Sequence, residues 1–90
     1  MNFEWDEHKR ITNLKKHGVD FVAASRLWDS PMLVVEDTRS NYQEPRWIGM
    51  GLLEKRMMII VYTKRRNTIR IISFRKANKR EVKYYEKACS

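Results

Sequence analysis

Between Ile69 and Glu86 the chain reads IRIISFRKANKREVKYYE, and Arg75, Lys76, Lys79 and Arg80 crowd into six consecutive positions of it. Side chains of this type at this density hold anions. An arginine offers a phosphate two parallel N–H donors, and a lysine offers a compact positive charge. The flanking pattern says how such a cluster is carried. Ile69–Phe74 is β-branched and reads as a strand, with Arg70, Ile72 and Phe74 on one face and Ile69, Ile71, Ser73 and Arg75 on the other. Val82, Tyr85 and Cys89 are spaced to share one face of a helix. A strand that delivers cations to a helix start suits phosphate, because the first helical N–H groups point the same way.

The charge distribution agrees. Residues 1–63 carry nine Lys/Arg and nine Asp/Glu, whereas residues 64–90 carry ten Lys/Arg against Glu81 and Glu86. The net charge of +8 therefore lies in the last 27 residues. Such a basic patch points to a polyanion, most often nucleic acid, although a solvated helix face gives the same count.

The preceding chain must position that cluster. Asp6 caps a predicted first helix to about His17, and Gly18 is a left-handed stop. Trp5, just ahead of the cap, is placed to fold back on the first turn as a hydrophobic staple. Asp20 caps a second predicted helix to about Trp28, whose inner face is Phe21, Ala24, Leu27 and Trp28. Strands follow at Leu33–Asp37, Arg46–Leu53, Met57–Thr63 and Ile69–Phe74, with a polar loop over Thr38–Glu44. Gly49 and Gly51 share a face, leaving room for a bulge or a close helix. Met57–Thr63 is the most apolar strand and is expected at the centre. Asn78 with Glu81 resembles a capping box for the last helix. The expectation is an α+β fold with two N-terminal helices, a four-stranded antiparallel sheet and a C-terminal helix.

Ninety residues make one domain, 1–90. Apolar content of 42% with 33% charged residues fits a compact soluble protein, not a disordered one. No apolar run approaches the roughly 20 residues of a membrane helix, and MNFEWDEHKR lacks the apolar core of a signal peptide. One cysteine, Cys89, permits no internal disulfide and suits a reducing cytoplasm. Two histidines without close ligand spacing argue against a metal site, and no cofactor motif is present.

With the elements placed, several stretches resemble one family. WDEHK (5–9), Asn13, KHGVDF (16–21) and Ala24 look like the N-terminal signature of BrnT toxins. Arg46, Gly51, Val61-Tyr62-Thr63, and RIIS followed by Arg75, Ala77, Glu81 and Tyr84 or Tyr85 look like the C-terminal half. The resemblance implies a type II toxin of RelE-like ribonuclease fold that cleaves RNA. It also implies neutralisation by a BrnA-like ribbon-helix-helix antitoxin, in a 2:2 heterotetramer that touches DNA only through the antitoxin.

Metal-free RNA cleavage needs a base for the 2′-hydroxyl, cations around the crowded phosphorus, and an acid for the departing 5′ oxygen. Arg75 is the leading phosphate-stabilising candidate; its other reading is an ion pair with Glu81 that anchors the last helix. Arg70 falls on the opposite face of a regular strand, which a bulge at Ser73 would change. Candidate acids and bases are His17 and Glu81, with Tyr84 or Tyr85 behind them and Lys16 or Lys76 as lysine alternatives. His17, at a helix C-terminus, is expected to be biased toward its charged form, and simple capping of its own helix is the competing role. Arg70, Lys79, Arg80 and Lys16 are candidate RNA phosphate contacts. Trp28 and Trp47 are candidate antitoxin anchors. A non-catalytic nucleic-acid-binding module using the basic C-terminal face is the alternative function.

Overall fold

The computed structural model describes residues 1–89. Its elements in order are β1 (Asn2–Trp5), α1 (Glu7–His17), a 3₁₀ helix (Phe21–Asp29), β2 (Leu33–Glu36), β3 (Trp47–Leu53), β4 (Arg56–Arg65), β5 (Thr68–Lys76) and α2 (Lys79–Cys89). Local chemistry sets the helix ends. Asp6 accepts the Lys9 N–H at 3.0 Å, and Gly18 closes α1 at φ 73° while its N–H donates to the Leu14 carbonyl at 2.8 Å. Asp20 accepts the Val22 N–H at 3.1 Å to open the next segment. That segment is 3₁₀ and not α. Phe21, Ala24 and Leu27 recur every third residue, so a three-residue turn stacks all three onto the sheet, each no more than 1% exposed.

The sheet corrects the four-stranded antiparallel expectation. It has five strands in the order β1-β5-β4-β3-β2, and β1 runs parallel to β5, making the sheet mixed. The residue ahead of the Asp6 cap belongs to a strand: Trp5 pairs with Ile71, and its ring meets Phe21 edge-on at 6.3 Å. Phe3 and Trp5 alternate inward against the core, enough apolar contact to hold a four-residue edge strand. β4 lies at the centre, and every residue from Met58 to Thr63 is buried. Gly49 and Gly51 make room on the core side. A Cβ on Gly51 would stand 2.9 Å from Cγ of Met32 and 3.6 Å from Cδ2 of Leu27.

One irregularity matters for everything below. Val61 faces Ser73 but Tyr62 faces Ile71, so β5 carries an extra residue at Ile72. Ile69, Ile71 and Phe74 consequently all enter the core, while Arg70, Ser73 and Arg75 share the reverse side. The expected separation of Arg70 from Arg75 does not occur. No helix among the described residues is long and apolar enough to cross a membrane.

Candidate functional site

The reverse side of β5 meets α1 where β1 has ended. There Asn13 takes the place of a strand residue: its Nδ2 donates to the Phe74 carbonyl at 2.6 Å and its Oδ1 accepts the Phe74 N–H at 3.2 Å. This buried amide pins the last turns of α1 along β5 and brings Lys16 and His17 to the strand. His8, Lys9, Thr12, Lys16, His17, Ile72 and Ser73 line the resulting groove, about 300 Å³ in volume. Arg75 lies within electrostatic reach of His17.

Burial, then the positive charges of Lys16 and Arg75, push the His17 imidazole below its ordinary value. This direction is opposite to the expected bias toward the charged form, and its causes are desolvation and two neighbouring cations. A neutral imidazole at working pH is suited to accept a proton.

Arg75 is held by Glu81 through two parallel bonds of 2.8 and 2.7 Å. The pairing raises the affinity of Arg75 for its proton and holds the Glu81 carboxyl below the usual carboxylate range. Glu81 also accepts the Asn78 N–H at 2.9 Å, while its own N–H donates to Asn78 Oδ1 at 2.8 Å, the reciprocal capping box of α2. An ionised, doubly engaged carboxylate orients a guanidinium well and is a poor general base. Arg75 thus makes the ion pair with Glu81 that its anchoring reading requires, and its charge also acts on His17.

Lys76, Lys79 and Arg80 do not line the groove. Lys76 lines a different cavity with Lys55, Met57, Val82 and Tyr85. Lys79 and Arg80 are exposed on the first turn of α2. Arg70 bonds Glu4 of β1 at 2.7 Å and lines a cavity next to the groove with Lys9, Tyr42, Glu44, Arg46, Thr63 and Ile72. Lys9, Arg46 and Tyr42 did not stand out as site residues from the sequence.

The loop from Asp37 to Arg46 forms that second cavity's outer wall. Asp37, 3% exposed, accepts two bonds from the Arg39 guanidinium at 2.8 and 2.9 Å, one from the Arg39 N–H, and one from the Tyr42 hydroxyl. Arg39 holds the Asp37 carboxyl far below the usual range. The Arg46 guanidinium in turn lies over the Tyr42 ring, 4.1 Å from its centroid. Asp-x-Arg closing an Asx turn was the available signal for this loop.

Trp28 and Trp47 lie on the opposite, core side of the sheet. Trp28 sits edge-on between Phe3 and Tyr62, 5.1 Å from each ring, and Trp47 carries the Lys64 ammonium 4.9 Å from its ring centroid. Both are half-buried.

Among the described residues, no group of three His, Cys, Asp or Glu side chains gathers as metal ligands would. Residues 5–81 match the family model described as the ribonuclease toxin BrnT of type II toxin–antitoxin systems. No curated protein matches the chain.

Proposed function

The chain belongs to the BrnT family of type II ribonuclease toxins, and from that premise we propose that it is a metal-independent endoribonuclease whose chemistry runs in the groove between α1 and β5. An RNA substrate and an antitoxin partner follow from the family; the residue roles are our reading. The neutral His17 imidazole takes the 2′-hydroxyl proton as O2′ bonds to phosphorus. Arg75 neutralises charge gathering on the phosphate oxygens, and the Lys16 ammonium protonates the 5′ oxygen as the P–O5′ bond breaks. The products are a 2′,3′-cyclic phosphate and a 5′-hydroxyl end. Glu81 is a positioning residue that fixes the Arg75 fork. Lys79 and Arg80 attract more distant phosphates, and Lys76 has no part in the reaction.

The observation that carries this reading is that Lys16 and His17 line one groove with Ser73, on the face of β5 that also carries Arg75, whose charge acts on His17. We also assign a BrnA-like ribbon-helix-helix antitoxin in a 2:2 complex that reaches DNA through the antitoxin alone, anchored on Trp28 and Trp47. Residues 1–90 act as one toxin domain in the cytoplasm.

The test is cleavage of RNA in excess EDTA by wild type and by Arg75→Ala. We expect cleavage by the first and its loss in a folded second. The full engagement of Arg75 by Glu81 favours the other reading, a non-catalytic binding module, and RNA bound but intact in wild type would establish it.

A further inference from the structure

Beside the groove just assigned lies the second cavity, about 350 Å³, within the roughly 300–1,000 Å³ range of ligand clefts. It brings together Lys9 from α1, Arg46 ahead of β3, Thr63 from β4 and Arg70 from β5. Three cations face one carboxylate, Glu44, and that carboxylate is itself engaged by Arg65 through bonds of 2.8 and 3.3 Å. Thr63 is 2% exposed and its hydroxyl has no hydrogen-bond partner among the described residues. A buried, unpartnered hydroxyl under three cations is a polar floor not satisfied within the chain. Finally, the Arg46 guanidinium carbon lies over the Tyr42 ring, 4.1 Å from its centroid, a contact that holds the planar guanidinium in place. Such a plane is a surface on which an unpaired base stacks.

We propose that this cavity is a nucleotide subsite, in which Arg46 stacks the base of a nucleotide flanking the scissile bond while Lys9 and Arg70 hold its phosphate. The ligand class is single-stranded RNA, because a duplex would keep its bases from the Arg46 plane. The proposal rests on the ribonuclease reading, and Lys9 and Ile72 line both cavities, so the two sites form one continuous track. An RNA strand lying in it would cross the end of β5 from Arg70 toward Arg75. Arg70 would exchange Glu4 for phosphate; a partly exposed ion pair contributes little in water, so that exchange is inexpensive.

The experiment uses the whole toxin and a fluorescent, uncleavable 2′-O-methyl RNA hexamer. Anisotropy is read as a function of salt for wild type, Arg46→Ala, Arg46→Lys and Lys9→Gln, with thermal unfolding as the fold control. Arg46→Ala weakens binding about tenfold, the loss expected for one stacked base. Arg46→Lys keeps the charge and fails to restore it, and it also serves where the alanine variant does not fold. Lys9→Gln lowers the slope of log K against log salt by about 0.7, one single-strand phosphate contact. In cleavage of a natural RNA the Arg46 variants raise KM more than they lower kcat. Wild-type affinity in the folded Arg46 variants overturns the subsite and leaves the ribonuclease reading standing. Absence of any RNA binding or cleavage by wild type overturns both. Unchanged RNA affinity with lost antitoxin affinity overturns the subsite too, and makes the cavity an acidic-peptide contact.

Discussion

The two faces of β5 are built on different principles. On the core face Ile69, Ile71 and Phe74 are no more than 6% exposed and are held by close packing. On the reverse face Arg70 and Arg75 are half-buried, and each is held by a carboxylate from another element, Glu4 of β1 and Glu81 of α2. Packing cannot be exchanged without loss, because a removed side chain leaves a void. A charge-assisted bond can be exchanged, because a phosphate oxygen presents what a carboxylate oxygen presents. One strand thus separates the residues that keep the fold from those free to change partners.

The sharpest break of that contrast is a pair of substitutions on adjacent residues. Phe74→Ala should destabilise by roughly 3–5 kcal/mol, read from urea unfolding. Arg75→Ala should lower RNA cleavage by about 10²–10³ while stability changes by about 1 kcal/mol or less. Comparable losses of stability in both would erase the division. Asn13→Ala tests the seam between the faces: Phe74 loses its partners for both N–H and C=O, and we expect about 1–3 kcal/mol of destabilisation with faster amide exchange at Phe74.

Acid separates the loop that walls the second cavity. Because Arg39 lowers the Asp37 pKa on folding, Asp37 contributes stability that is present above the ordinary carboxylate value of 3.8 and lost as pH falls through the lower folded one. Asp37→Asn should remove about one proton from the uptake on acid unfolding, measured by unfolding midpoints between about pH 2 and 5. The smallest effect is on the pH–rate profile. The ascending limb should lie below about 6.5, the free imidazole value, since His17 is depressed in the fold. In the residual activity of Arg75→Ala it should move upward, because a positive neighbour has gone.

Much of this was legible. Asp6, Gly18, Asp20 and the Asn78–Glu81 pair act as caps because their chemistry is local. The three-residue spacing of Phe21, Ala24 and Leu27 was visible too, and its period is that of a 3₁₀ helix. β1 was hidden because Phe3 and Trp5 give only two alternations and the partner is sixty-odd residues away. A bulge at Ser73 was named as a condition, but IRIIS contains no Gly or Pro to mark that one forms, and the extra residue is Ile72. That Lys76, Lys79 and Arg80 do not line the groove follows from the same limit: nearness in sequence at a strand-to-helix junction does not fix direction. Lys9, Arg46 and Arg70 come together only through the sheet order, which no short window contains.

The extra residue at Ile72 makes the end of β5 a matter of odd and even. Flattening the bulge with every residue kept would restore an unbroken alternation and turn the strand end over, sending Arg75 toward the apolar layer and Phe74 toward solvent. Glu81 would then have no guanidinium to grasp, and α2 would lose its tether. The same run of residues could thus keep or lose its chemistry through the way the stretch between Arg70 and Arg75 is laid against β4.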